Sequence, residues 1–171
     1  MKINTKELVV FSLLGAILFA SKIIVEVLPN IHPLAMLIIA YTAVFRKKAI
    51  FPILVFIAIS GAVYGFSVWW VPYFYLWPLL WVCAMLIPPN IPNKVAIPVY
   101  MILAGLHGIL YGMLYAPYEA LIHGFGFDGM IAWIIKGIPY DLIHGISNFI
   151  VASLTLPVIK ALKISAKAIS L

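Results

Sequence analysis

Apolar residues run along this chain in long, unbroken blocks, and polar residues gather at the breaks. Six blocks separate, at about 8–28, 33–45, 49–64, 76–87, 95–115 and 130–156. The first stops at Pro29-Asn30, the second at Arg46-Lys47-Lys48. The third gives way at Gly65 to an aromatic stretch reaching Tyr75, and Pro88 to Lys94 interrupts the fourth. Ala116-Pro117 closes the fifth, a polar, glycine-rich loop follows over Tyr118 to Gly129, and the sixth ends near Pro157 and a basic tail. Proline removes a backbone donor and clashes with the preceding turn, so these breaks predict helix ends. Continuous apolar runs predict helices, because a membrane strand would alternate over about ten residues. At ~1.5 Å per residue the first block reaches about 31 Å, enough to cross a bilayer core. The second and fourth blocks are shorter than a usual span. They predict either tilted helices or broken ones lined by other protein.

Composition turns these blocks into membrane spans. Of the 171 residues 65% are hydrophobic and only 9% charged, against roughly 25% charged in soluble domains. Mean hydropathy is +1.16. Such a chain cannot build a water-facing surface, and its apolar surplus has to face lipid. Charge placement then sets orientation. Nine of the eleven Lys and Arg fall at alternate breaks: Lys2 and Lys6, Arg46 to Lys48, Lys94, and Lys160, Lys163 and Lys167. The intervening loops carry none. By the positive-inside rule the basic breaks are cytoplasmic, and the alternation works for six spans but fails for five. The expectation is an all-α membrane protein with six transmembrane helices and both ends in the cytoplasm. It forms a single integral membrane domain over 1–171, multi-pass in the cell membrane. The net charge of +6 is thereby assigned to topology, not to nucleic acid. The N-terminal segment reads as an uncleaved first span rather than a signal peptide. Cys83 is the sole cysteine, which excludes an intrachain disulfide.

Chemistry-bearing residues collect on the predicted outer side. Trp69, Trp70, Tyr73, Phe74, Tyr75, Trp77 and Trp81 crowd one stretch. An aromatic belt needs one or two rings per helix end; a denser cluster also stacks on a flat ligand. Glu119 and His123 lie in the predicted outer loop, with Asn30, His32 and Asp128 on the same side. In the sixth block Lys136, Tyr140, His144 and Ser147 follow helical spacing, with Asp141 and Asn148 overlapping that face. Ionisable groups inside a span point into the bundle. Here they form either an interhelical network, with Asp141 and His144 satisfying each other, or a ligand site. Gly108-x-x-x-Gly112 in the fifth block is a close-packing motif, with His107 and Tyr111 one turn apart beside it. Lys22 and Glu26 are one turn apart in the first block. No Walker, HExxH or GxSxG motif and no metal-spaced cysteine set is present, so no catalytic residue, cofactor or metal site is assigned.

Ala16-x-x-x-Ala20 places two small residues on one stripe of the first block, with Gly15 beside it. In that position, with this size, topology and outward polar cluster, the chain resembles the substrate-binding S-components of energy-coupling factor (ECF) vitamin transporters. The stretches Leu28-Pro29-Asn30, Tyr64-Gly65-Phe66-Ser67-Val68-Trp69-Trp70 and Ile138-Pro139-Tyr140-Asp141-Leu142-Ile143-His144 are similar to a subgroup from Gram-positive bacteria. The resemblance implies an S-component-like bundle that captures a vitamin or precursor outside and delivers it through a transmembrane coupling subunit powered by two ATPases, as in an ABC importer. It implies that Ala16 and Ala20 contact the coupling subunit. The expected binding residues are Trp69, Trp70, Tyr73, Tyr75, Glu119, His123, Tyr140, Asp141, His144 and Asn148. A corrinoid or its precursor is the first substrate candidate, with folate, pantothenate and queuosine-like bases open. The alternatives are a small membrane enzyme using Asp141 and His144 as acid and base, and a membrane assembly subunit that binds no ligand.

Overall fold

A computed structural model of the chain describes residues 2–28 and 30–169. Pro29, at which the first helix is predicted to stop, lies outside the described residues. Every regular element among them is helical: α1 (Thr5–Ile24), α2 (Leu34–Phe45), α3 (Ile50–Tyr64), α4 (Tyr73–Met85), α5 (Asn93–His123), α6 (Phe127–Val151) and α7 (Thr155–Ala168). Short 3-10 turns at Arg46–Ala49, Val68–Trp70 and Ala152–Leu154 join α2 to α3, precede α4, and join α6 to α7. Four runs are long and apolar enough to cross a membrane: Thr5–Ile24, Val68–Met85, Asn93–His123 and Phe127–Ala168. The α2 and α3 helices have 12 and 15 residues, or about 18 and 22 Å at ~1.5 Å per residue.

The short α2 is the centre of the bundle. Each residue from Leu34 to Thr42 is buried, and Ile38 and Ile39 are 0% exposed. A helix apolar all round suits full enclosure; α4 and α7 are its main neighbours, and the Tyr41 hydroxyl donates to the Leu14 carbonyl of α1 at 3.3 Å. The α1 helix starts on a capping box, in which the Asn4 side chain accepts from the Glu7 amide while the Glu7 carboxylate accepts from the Asn4 amide. That carboxylate also pairs with Lys48 in the α2–α3 turn. Arg46 in the same turn has φ 49°. Its guanidinium donates to the carbonyls of Met85 and Ile87 at 2.6 and 3.0 Å, so it ties the turn to the end of α4. Lys6 donates to the Ile169 carbonyl after α7. One end of the bundle is thus basic and cross-linked. The site described below is at the other end.

Glycines bring α5 and α6 together. A Cβ at Gly108 would lie 2.7 Å from the Gly145 Cα, and one at Gly145 would lie 3.0 Å from the Gly105 carbonyl oxygen. The predicted small-residue stripe on α5 is therefore the seam against α6. Gly15 does the same for α1 and α3, where a Cβ would meet Val55.

Three predicted boundaries are corrected. Helix α5 does not close at Ala116-Pro117 but runs through Pro117 to His123, where Gly124 takes φ 68° and ends it. A membrane helix tolerates the lost donor because its neighbours satisfy the freed carbonyl. The predicted outer loop thereby shrinks, and Glu119 and His123 belong to the last turns of α5. Pro157 does not end the chain's last helix; it sits in the first turn of α7, where its missing N–H has no intrahelical partner to lose. Tyr73 to Tyr75 open α4 instead of completing a loop.

Candidate functional site

The polar groups buried inside α4, α5 and α6 converge. On α4, Tyr73 and Trp77 are one turn apart; on α5, so are His107 and Tyr111; α6 contributes His144 and, one turn deeper, Asn148. The connection between α1 and α2 adds His32. Ring centroids link them in a chain: Trp77 to His107 at 5.5 Å, Trp77 to Tyr111 at 5.8 Å, Tyr111 to His144 at 5.1 Å and His144 to His32 at 4.8 Å. His107 Nε2 lies 3.1 Å from the Leu76 carbonyl. A carbonyl only accepts, so Nε2 carries the proton and Nδ1 is left as an acceptor. Outside the helices, desolvation pushes the His32 imidazole down to about 4, and the neighbouring Lys22 and His107 push the same way. His32 is therefore neutral at neutral pH, with one donor and one acceptor.

Six buried side-chain nitrogen and oxygen atoms have no hydrogen-bond partner among the described residues. They are His32 Nδ1, Trp77 Nε1, His107 Nδ1, His144 Nε2 and both amide atoms of Asn148. Each such atom costs about 1–3 kcal/mol if nothing meets it. His32, Trp77 and His144 line one cavity, His107 packs on Trp77, and Asn148 is one turn from His144 on α6. A core selected only for stability would fill these positions with apolar side chains. This arrangement instead holds donors and acceptors ready beside a cavity of about 260 Å³, walled by Tyr73, Trp77, Tyr111, His32 and His144.

Lys22 and Glu26, from the end of α1, stand on the cavity's rim with Asn30. Lys22 Nζ lies 4.2 Å from the centroid of the Tyr64 ring, a cation–π distance. The Tyr64 hydroxyl donates to the Glu26 carboxylate, 3.0 Å from both oxygens. Lys22 forms no ion pair among the described residues. The rim is fixed to the bundle by Ser147 of α6, whose hydroxyl lies 3.1 Å from the Asn30 carbonyl and donates to it or to His144's own carbonyl. Asn30 has φ 60°, which asparagine accepts more readily than most residues.

The predicted binding residues divide among several places. Tyr73 and His144 line the cavity, and Asn148 lies beneath it. Tyr140 and Asp141 lie on the far side of Tyr111, in a second cleft of about 290 Å³ shared with Tyr115 and Trp133. Trp70 donates from Nε1 to the Ile57 carbonyl at 2.7 Å, and the Trp69 carbonyl accepts from Tyr115; both brace the α3–α4 link. Tyr75 bonds to the Leu114 carbonyl at the surface. Glu119 and His123 pair with each other at 3.1 Å near the end of α5. The expected mutual pairing of Asp141 and His144 does not form. Asp141 accepts from the Gly112 amide at 3.1 Å, in space open only because Gly112 has no side chain. His144 points the other way, toward His32 and Tyr111. Lys136 is exposed and pairs with neither Glu119 nor Asp128. Ala16 and Ala20 are exposed on the outer face of α1.

His32, Trp77, Tyr111, Lys22 and Glu26 are the cavity residues missing from the predicted set, and His107 packs against Trp77 and Tyr111. The one-turn spacings of His107 with Tyr111 and of Lys22 with Glu26 were their signal. No group of three or more His, Cys, Asp or Glu side chains among the described residues is arranged to hold a metal ion. Comparison with protein-family models, curated proteins and solved structures finds no match to this chain.

Proposed function

We propose that this protein is the substrate-capture S-component of an ECF-type importer, which takes up a vitamin or vitamin precursor at the outer face of a bacterial plasma membrane. The observation that carries the reading is the set of six unpartnered buried polar atoms below a cavity at the end of the bundle opposite the basic residues. Selective capture from dilute solution needs such a site, because unmet donors and acceptors reject molecules that lack the matching groups. In this reading the chain crosses the membrane six times with both ends inside; α2 crosses as a short helix enclosed by the others, and α3 as a short helix with one exposed face. Energy comes from partners, in keeping with the absence of a nucleotide-binding motif: a transmembrane coupling subunit and two ATPases. The exposed Ala16 and Ala20 suit close contact with a partner helix.

Two experiments test this. Titration of purified protein with B-vitamins and their precursors, corrinoids included, is expected to quench tryptophan fluorescence with one compound at submicromolar concentration, through Trp77. No response across the panel would reject capture. For topology, single cysteines at Lys47, Lys94 and Phe125 in a Cys83→Ser background are expected to divide under a membrane-impermeant maleimide. Only the cysteine at Phe125 should label on intact cells. Labelling at Lys47 or Lys94 would overturn the orientation.

A further inference from the structure

The dimensions and lining of the cavity restrict what it accepts. Its volume of about 260 Å³ falls just below the ~300–1,000 Å³ usual for small-molecule clefts. One ring or two fused rings fill such a space; a corrin macrocycle does not. The side walls are flat, being the rings of Tyr73, Trp77 and Tyr111. The polar atoms are mixed in kind. Trp77 Nε1 only donates, while the unpartnered ring nitrogens of His32 and His144 donate or accept according to tautomer. A ring that meets them needs donors and acceptors on its own edge, as nitrogen heterocycles have and hydrocarbons lack.

The rim adds a charge. Glu26 already accepts from Tyr64, whereas the Lys22 ammonium rests over the Tyr64 ring and makes no hydrogen bond or salt bridge among the described residues. The mouth carries one charge of each sign, and the donors left free there are those of Lys22. Ammonium groups at a partly desolvated rim bind carboxylate or phosphate oxygens through short, charge-assisted hydrogen bonds.

We propose that this site takes a one- or two-ring nitrogen heterocycle bearing an anionic arm, with the ring edge read by the His32–Trp77–His144 cluster and the arm held by Lys22. The assignment rests on the capture reading and narrows its ligand. It places corrinoids outside the substrate range.

The test is calorimetric titration of the full chain in lipid nanodiscs. The probes are pyridine-, pyrimidine-, purine- and pterin-carboxylates, each beside its neutral carboxamide, with cobinamide and the B-vitamins as larger controls. One carboxylate is expected to bind at least about tenfold more tightly than its amide, the scale of one hydrogen bond to a charged group. Lys22→Gln is expected to remove that preference, bringing the affinity of the carboxylate down to that of its amide. Lys22→Arg, which keeps the charge, should retain the preference, so a folding defect in one variant does not decide the outcome. Equal binding of acids and amides, or an undiminished preference in Lys22→Gln, overturns the anionic arm. Binding of cobinamide without any small heterocycle overturns the ligand class and leaves capture standing. Binding of no probe or vitamin at all overturns capture itself.

Discussion

Gly145→Leu is expected to abolish the folded protein. A Cβ at this position would sit 3.0 Å from the Gly105 carbonyl oxygen and 3.1 Å from the Ile109 amide nitrogen. The Ile109 side chain, which it would also meet, can turn away, but these two are backbone atoms of α5, and the rest of a leucine side chain at such a contact forces the helices apart. Separation opens the whole α5–α6 seam, which carries Gly105, Gly108 and Gly145 and positions His107 against Trp77. Overpacking by one or two methylenes costs about 1–3 kcal/mol in a tight core, and a leucine at a backbone contact exceeds that. Gly108→Ala is the graded version, since its Cβ would approach the Gly145 Cα at 2.7 Å. It is expected to lower stability by about 1–3 kcal/mol without preventing folding. Gly126→Ala is the control, because a Cβ there meets nothing within 4 Å. Gel filtration and thermal aggregation in detergent decide the matter. A monodisperse Gly145→Leu protein with a wild-type melting temperature would show that the two helices are not held at backbone contact.

The second large effect is on transport alone. Ala16→Trp and Ala20→Trp, made singly and together, are expected to reduce cellular uptake by more than about tenfold, the effect of ~1.4 kcal/mol at a contact. Ligand binding by the purified variants should remain at the wild-type level. Both side chains face away from the bundle, so an indole there displaces nothing within the protein. It does obstruct a partner helix that needs small residues to come close. Gly15→Ala gives the opposite pattern. Its Cβ points at Val55 and at the Pro52 carbonyl oxygen, 2.9 Å away, so it disturbs the α1–α3 contact and lowers stability. Full uptake by the double tryptophan variant would remove this stripe from the coupling interface.

The helical class and the glycine seam were legible in the chain because each depends on local spacing. A run of apolar residues is a helix in lipid whatever surrounds it, and Gly108-x-x-x-Gly112 marks its own contact face. Helix ends at proline were misjudged, since the rule that proline breaks helices assumes water competing for the freed carbonyl. Pro117 lies within α5 with its ring on the exposed face, where in a bilayer lipid takes the place of water and the rule loses force. The cavity was only half legible. His144 and Tyr73 carried a signal as polar or aromatic residues in notable places. Trp77 was hidden within a dense run of rings, of which Trp69 and Trp70 brace the α3–α4 link instead. His32 and His144 are distant in sequence, and only the folding-back of the α1–α2 connection onto α6 brings their rings to 4.8 Å. Helical spacing also placed Asp141 with His144, yet three positions put about 60° between two side chains at 3.6 residues per turn. Gly112 then drew the carboxylate to the other cleft.

The enclosed position of α2 bears on how the protein is made. This helix gives up its lipid contacts in the finished bundle and is too short to span a bilayer unaided. Its principal neighbours, α4 and α7, both follow it in the chain, α7 by more than a hundred residues. The growing chain therefore carries an unfilled middle until α7 has been made. The docking of α7 is the step whose completion a membrane quality-control protease would in effect be checking.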